Sequence, residues 1–378
     1  MASPRLHYLS NLRTYLTVVV IYHHTAIPYG GDGSWGYKLP KSTSNPALTA
    51  FNALNQTYFM AGFFFLSGFF SHRSATRKSS TAFIKDKVLR LGLPTFLYAL
   101  VVEPIQTMIL QVVISRTPQR SIADIWIQHF KNIRGVQGPV WYCALLLIFD
   151  IIYALLFARQ FTNRSSPPEA LSRSWLLSLV ATIAYASFLL RIPFPVSEKG
   201  VLNPLNLRVG YVTQYIGYYA LGHIVGSRGT PDVGMGELRP PGLALRLWAV
   251  TIATSVLSGF FHGNEGDASD RARGGLNVMA VCYAILNETV GYLILTGLVG
   301  GFRRWSFTTK SWGFVPRYAY AAFLVHVPTV ITLQALFDRW DANGVLKTLV
   351  VGTLSVPAAW LVGCIIANVL PGARKVIL

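Results

Sequence analysis

The chain has 378 residues, of which 52% are hydrophobic and only 13% are charged, and its mean hydropathy is +0.43. Soluble domains carry about 25% charged residues, so this composition excludes an ordinary soluble protein and favours an integral membrane protein. The formal net charge of +18 would suggest a nucleic-acid partner in a soluble protein. In a membrane protein it favours contact with a lipid bilayer, and we expect no nucleic-acid partner.

Ten apolar stretches follow one another without a long polar insertion. They predict an all-α, integral membrane helical bundle of about ten transmembrane helices, forming a single domain over residues 1–378. Single Gly, Pro or polar residues interrupt several stretches, as bundled membrane helices tolerate. The predicted spans are 12–28, 51–70, 89–114, 139–158, 174–190, 205–226, 243–261, 276–300, 317–337 and 345–370.

The loops between these spans differ in their content of Lys and Arg. If the amino terminus is cytosolic, the cytosolic segments hold most of the 33 basic residues. This positive-inside bias predicts that both termini lie in the cytosol. It also places Asn163, which begins an Asn-Arg-Ser sequon, in the cytosol, where it should stay unglycosylated. Internal membranes and the plasma membrane both remain open as locations.

The first span contains a cation and two histidines. Arg13 and His24 are eleven residues apart, so they share a helix face about 16 Å apart along the axis. Ionisable groups within a membrane span are costly to bury and are functional candidates. His24 is the candidate general base, with His23 as its helper. The alternative for each histidine is a neutral ring that hydrogen bonds across helices.

A dense basic segment, residues 71–90, separates the second and third spans on the predicted cytosolic side. It contains Lys85, Lys87 and Arg90. One interpretation is a topology anchor that touches anionic lipid. The other is a site for a phosphorylated cytosolic molecule, in which these cations and Arg13 form a positively charged entrance.

Six segments along the chain share a pattern of aromatic, glycine, basic and histidine residues. They are YLSNLRTYLTVVVIYHHTAIPYGG, FFFLSGFF, KDKVLRLGLP, GPVWYCALLLIF, YYALGHIVG and YAYAAFLVHVP. In this order they resemble the acyltransferase-3 family of multi-pass membrane acyltransferases. The chain departs from the family pattern at Asn11, where an Asp is frequent, and at Lys87, where the family's two-arginine motif has Arg.

This resemblance implies an O-acyltransferase that moves an acyl group, in particular acetyl, from cytosolic acyl-CoA to a hydroxyl group. The acceptor would be a sugar, a lipid or a hydrophobic small molecule. His24 would act as base or carry the acyl group transiently. Arg13, Lys85, Lys87 and Arg90 would hold acyl-CoA. His326 matches a late histidine of the family.

Other polar residues fall within predicted spans. Glu288, beside Asn287, is a further catalytic candidate because a buried carboxylate could orient a histidine or an arginine. Three more residues are candidates for direct function, with hydrogen bonding between helices as the alternative role. They are Glu103, Asp150 and His223. Ser67 and Gly68 favour close helix packing over nucleophilic chemistry. Three cysteines lie at unrelated spacings, so we expect no disulfide and no metal site.

Two other classes of protein also fit the buried polar residues. A membrane-embedded cyclase or isomerase would use Glu103, Asp150 or Glu288 as a proton donor in an aromatic pocket and would need no acyl-CoA. A small-molecule transporter would bury His and carboxylate side chains near mid-membrane, although the sequence shows no repeated halves.

Overall fold

The structure is a computed structural model in which thirteen α-helices and one short β-hairpin are described. It describes residues 6–37, 44–113, 120–132, 135–156, 171–196, 201–228, 246–247, 250 and 271–378. The predicted span 243–261 lies outside these ranges apart from residues 246, 247 and 250, and Asn163 also lies outside them.

The helices follow the order of the predicted spans. They are α1 (His7–Ala26), α2 (Pro46–Ala75), α3 (Ser80–Lys87), α4 (Leu93–Val113), α5 (Ile122–Lys131), α6 (Val140–Leu156), α7 (Arg173–Arg191), α8 (Val212–Ser227), α9 (Val278–Arg304), α10 (Ser306–Thr309), α11 (Val315–Leu336), α12 (Gly344–Val369) and α13 (Ala373–Ile377). Strands β1 (Val201–Leu202) and β2 (Leu207–Arg208) form the antiparallel hairpin. A short π-helix, Val88–Gly92, joins α3 to α4.

The all-α membrane class is confirmed. Nine of the ten predicted spans coincide with a described helix. Among the residues described, five helices are long and apolar enough to cross a membrane: α7, α9, α11, α12 and the continuous segment Ser80–Val113. The protein is therefore a multi-pass integral membrane protein, and the count of ten spans stays a prediction.

Helix ends follow local sequence signals. At the start of α2 the Asn45 side chain accepts hydrogen bonds from the backbone N–H groups of Ala47 and Leu48, and Pro46 occupies the first helical position. Asn277 and Asn343 cap α9 and α12 in the same way. Side-chain oxygens thus satisfy amide groups that would otherwise be left unpaired in an apolar environment.

Helix α5 was not predicted. It has only ten residues, so it is too short to cross a membrane, and Ser121 caps its start. Its sequence, IADIWIQHFK, is amphipathic, and Ile122, Ile127 and Phe130 are exposed. A search for long apolar runs cannot find such a helix, because its apolar residues recur at intervals.

Helix α1 lies in the middle of the bundle and packs against α2, α9, α11 and α12. Leu9, Leu12 and Leu16 of α1 are fully buried. We call the end of the bundle where α1 begins the lower end, and the end where α1 finishes the upper end. At the lower end the Asn11 amide donates to the carbonyl oxygens of Thr308 at 2.8 Å and Lys310 at 2.7 Å.

Helices α2 and α8 approach each other most closely at two glycines. A Cβ atom on Gly68 would overlap the carbonyl oxygen of Tyr219, and one on Gly222 would overlap that of Phe65. Because backbone atoms cannot yield as a flexible side chain can, only glycine permits this approach. The sequence-based expectation that Gly68 serves helix packing is confirmed.

We expect Gly222→Ala to lower the free energy of unfolding by about 1–3 kcal/mol, because the added methyl group forces α8 away from α2. Thermal unfolding of the purified protein in detergent measures the effect. Ala220→Leu is the control, because Ala220 lies on the same helix but is exposed. Equal stability of the two variants would contradict the proposed close contact.

Candidate functional site

Two histidines from different helices meet near the upper end of the bundle. Nδ1 of His24, on the last turn of α1, lies 2.9 Å from Nε2 of His326 on α11. The two rings are nearly parallel, with centroids 5.0 Å apart and an interplanar angle of 8°. His326 is fully buried, whereas His24 is half-buried. The structure therefore brings together two candidates that are 302 residues apart in sequence.

The hydrogen bonds define which ring nitrogens carry hydrogen. Nδ1 of His326 lies 2.6 Å from the carbonyl oxygen of Phe323, which can only accept, so this nitrogen is the donor. A neutral imidazole has a single N–H, so Nε2 of His326 accepts from Nδ1–H of His24. Nε2 of His24 then has a free lone pair, which is the arrangement that a general base needs.

His23 lies beside this pair without joining its hydrogen bonds. Its ring centroid is 5.5 Å from that of His24 and 5.0 Å from that of Phe59. The ring is buried, and within the described ranges its Nδ1 has no hydrogen-bond partner. His23 thus forms part of the wall next to His24.

Two residues that the sequence did not single out as catalytic groups surround His24. The indole of Trp35 stacks on the imidazole, with centroids 4.5 Å apart and planes inclined by 18°. Its Nε1–H donates to Oε1 of Gln334 at 2.8 Å. In the sequence Trp35 belongs to the segment PYGGDGSWGYK, for which an acceptor entrance and an interfacial aromatic belt are alternative interpretations. Gln334 was missed, although an amide within an otherwise apolar span is a detectable signal.

The cationic candidates Arg13 and Arg90 approach each other nearer the lower end. Their charges interact with each other, and the hydroxyl of Tyr142 also lies within electrostatic range of Arg13. Arg90 is in the π-helix, and its carbonyl oxygen accepts a hydrogen bond from Tyr320 at 2.8 Å. Its side chain is half-exposed and lies 3.5 Å from Asp86. Within the described ranges, Nε of Arg13 is buried and has no hydrogen-bond partner.

Lys87 has a different environment from the other cations. Its Nζ lies 2.9 Å from the carboxylate of Asp150, which is fully buried, and donates to the Ser71 hydroxyl at 2.6 Å. The Tyr219 hydroxyl donates to the same carboxylate at 2.6 Å. This network ties the basic segment to α2, α6 and α8. Lys85, by contrast, is exposed at the surface.

Glu288 lies in a separate polar cluster between α7, α8 and α9. Its carboxylate accepts hydrogen bonds from Gln214 at 2.9 Å, Asn287 at 2.9 Å and Ser187 at 3.5 Å. Arg191, which is fully buried, contributes a charge that acts on this carboxylate, and its guanidinium lies over the rings of two tyrosines. No direct contact to His24 is found in the part of the chain described.

Two other polar candidates also lie away from the histidine pair. His223 is buried and stacks on Tyr153, with ring centroids 3.8 Å apart. Glu103 is exposed, and its carboxylate lies 3.3 Å from Nδ1 of His129 on α5. Over the described ranges, no group of three His, Cys, Asp or Glu side chains could hold a metal ion.

The fold and the site together describe a multi-pass membrane enzyme with a histidine pair above a cationic region. A family model described as an acyltransferase domain, acyltransferase-3, matches residues 6–364. The chain therefore belongs to the acyltransferase-3 family and is an acyltransferase, as the resemblance of the six segments predicted. Family membership implies an acyl donor and an acceptor.

The chain is also similar to several curated bacterial proteins. Those named glucans biosynthesis protein C from Salmonella paratyphi A and Salmonella agona are each 24% identical over 228 residues. The protein of the same name from Salmonella heidelberg is 23% identical over the same length. In each case the match spans 58% of this chain and 58% of the relative. No solved structure matches.

We expect Asp150→Asn to lower the free energy of unfolding by about 3 kcal/mol, because it leaves the partly buried charge of Lys87 unpaired. Denaturation of the protein in mixed micelles measures this loss. The double variant Lys87→Met/Asp150→Leu, which removes both charges, should regain most of it.

Lys78→Ala is the matched control for this experiment. Lys78 forms an exposed ion pair with Asp86 at 3.1 Å, so its loss should cost less than about 1 kcal/mol. If Asp150→Asn were no more damaging than Lys78→Ala, the structural role of the Lys87–Asp150 pair would be refuted.

Proposed function

We propose that the chain is an O-acyltransferase that moves an acetyl group from cytosolic acetyl-CoA to a hydroxyl group beside His24. The observation that carries this proposal is the hydrogen-bond series from Phe323 through His326 to His24. These bonds leave Nε2 of His24 as a hydrogen-bond acceptor. The His24 ring is also the more exposed ring of the pair. An imidazole held in this way can accept the proton of a hydroxyl group that lies beside it.

In the proposed reaction the acceptor oxygen attacks the carbonyl carbon of the thioester. A C–O bond forms and the C–S bond breaks, while Nε2 of His24 takes the hydroxyl proton. His326 receives the Nδ1–H hydrogen bond and thereby supports the positive charge that develops on the His24 ring. The proton then passes to the leaving thiolate, which yields free CoA and restores the neutral base. Transfer through an acyl-histidine is the alternative route for the same residue.

We place the donor at the lower end of the bundle, with Arg13 and Arg90 near its phosphates and Lys85 at the rim. Within the described ranges Arg13 lacks a carboxylate partner, and its guanidinium keeps its charge at any physiological pH. The eleven-residue spacing on α1 gives about 16 Å between Arg13 and His24, so an extended thioester arm would run along this helix. This arrangement requires a cytosolic lower end and cytosolic termini.

The other candidate residues receive supporting roles in this proposal. Lys87 anchors the basic segment through Asp150. His23 forms a wall next to the base, and Glu288 stabilises the cluster around Arg191. None of these three is assigned a proton-transfer step.

A saccharide hydroxyl is the first acceptor to test. The relatives from Salmonella are named for glucan biosynthesis, although the match spans 58% of each protein. Trp35 offers an aromatic surface next to His24, and aromatic faces bind the apolar faces of sugar rings as well as other apolar rings. Lipids and hydrophobic small molecules are therefore the acceptors to test beside saccharides.

We expect His24→Ala to lower kcat for acetyl transfer by about 10²–10⁴-fold, because the acceptor hydroxyl loses its base. Transfer from radiolabelled acetyl-CoA to oligosaccharides, in protein reconstituted into vesicles, measures this loss. His129→Ala is the control, since His129 lies on α5 away from the site. Full transfer by folded His24→Ala protein would eliminate the assigned base.

We expect Arg13→Ala and Arg90→Ala each to raise the Kd for acetyl-CoA about tenfold, which corresponds to the loss of about 1.4 kcal/mol of binding free energy. Lys85→Ala should have a smaller effect, because an exposed charge is screened by water and salt. Isothermal titration calorimetry of the solubilised protein gives all three values. An unchanged Kd in both arginine variants would move the donor site elsewhere.

A further inference from the structure

The upper end of α1 is held by one buried amide side chain. Gln334 lies on α11, eight residues after His326, and is fully buried. Its Nε2 donates to the carbonyl oxygens of His24 at 3.3 Å and Thr25 at 3.2 Å. Carbonyl groups near the end of a helix need partners beyond the regular helical ladder. Gln334 supplies such a partner at the residue that carries the proposed base.

The other half of the same amide holds the residue that covers the His24 ring. Oε1 of Gln334 accepts from Nε1–H of Trp35, whose indole stacks on the imidazole. Trp35 comes from the segment after α1, in which residues 30–37 form no helix or strand. One side chain therefore fixes both the backbone of His24 and the aromatic surface against its ring.

These contacts restrain the imidazole in a way that His326 alone cannot. The single hydrogen bond to His326 allows the His24 ring to tilt about the bond axis. The stacked indole blocks that tilt on one face, and the bonds to Gln334 fix the backbone from which the side chain projects. The lone pair of Nε2 is thus held in one orientation toward an acceptor hydroxyl.

We propose that Gln334 and Trp35 are positioning residues that hold the His24 imidazole in the orientation needed for acyl transfer. This inference rests on the proposed role of His24 as base. It predicts that substitutions at these positions lower the rate of transfer while donor binding, at the opposite end of α1, stays unchanged. A residue that only stabilised the fold would not separate these two quantities.

Three variants separate the contacts. Gln334→Met keeps the approximate volume and removes every hydrogen bond of the amide. Trp35→Phe keeps a stacked ring but lacks the N–H donor, and Trp35→Leu removes the stack as well. Two nearby substitutions serve as controls. Thr332→Val alters a side chain on α11 whose hydroxyl donates to the carbonyl oxygen of Pro328 in the same helix, and Trp340→Leu removes another indole after α11.

We expect Gln334→Met and Trp35→Leu to lower kcat by roughly 10- to 100-fold, because small displacements of a catalytic group have effects of this size. The KM for acetyl-CoA should stay within about twofold of the wild-type value, since the donor contacts are intact. Trp35→Phe should restore most of the activity lost in Trp35→Leu, with a remaining deficit of about fivefold from the missing hydrogen bond. Both controls should match the wild type.

A second measurement does not depend on turnover. Diethyl pyrocarbonate modifies unprotonated imidazole nitrogens, and fragmentation mass spectrometry distinguishes modified His24 from His23. Removing the indole cover should make His24 more reactive in Trp35→Leu and Gln334→Met than in the wild type, by about tenfold if the ring becomes freely accessible. Trp340→Leu should leave the reaction rate unchanged.

The outcomes separate this inference from the proposed function. If His24→Ala is inactive but Trp35→Leu and Gln334→Met keep wild-type kcat and wild-type reactivity of His24, the positioning role is overturned and the base assignment stands. If the wild type transfers no acyl group, the proposed function fails. The reactivity of His24 toward diethyl pyrocarbonate then decides alone whether Trp35 and Gln334 restrain the His24 ring. Should Gln334→Met fail to fold, the pair of Trp35 variants completes the test.

Discussion

The hydrogen bond between His24 and His326 joins the first helix of the chain to α11, and the site depends on this junction. Further polar contacts of α11 lie along its length, and two of them bear on the site. Tyr320 bonds the carbonyl of Arg90 toward the lower end, and Gln334 bonds the end of α1 at the upper end. Each contact would be weak in water, where the groups have other partners, but in an apolar bundle the unpaired groups are costly. Helix α11 therefore sets the relative positions of the cationic region and His24.

The sequence predicted the elements of the site that lie on one helix. Arg13 and His24 share a face of α1 because helical periodicity alone determines where residues eleven apart point. Hydropathy located nine of the ten spans as helices within the described ranges for a similar reason, since a helix is the only open-chain structure that satisfies its own backbone in lipid. The ordered resemblance of six segments supplied the family, which the match over residues 6–364 confirmed.

Contacts between helices could not be predicted in this way. The ion pair of Lys87 with Asp150 was not predicted, because nothing in the local sequence links residues 63 positions apart. Glu288 was expected to orient a histidine or an arginine, but the sequence did not identify Gln214 and Arg191 as its neighbours. Trp35 and Gln334 stand out only in the structure, where they hydrogen bond to each other and both contact His24. Such pairs follow from the packing of helices, which single-sequence periodicity does not encode.

The pairing of charges explains why the two ends of α1 suit different chemistry. Asp150 neutralises Lys87, and the Glu288 carboxylate lies in the field of Arg191, so these four charges largely cancel inside the bundle. Arg13 has no such carboxylate in the part of the chain described, and its positive field is strengthened by Arg90. Under the proposed function, an anionic donor would be attracted to one end of α1, whereas the neutral imidazole pair at the other end attracts no anion. Under the proposed function, a phosphorylated donor would be held by its phosphates without competing for His24, the proposed base of the acceptor hydroxyl.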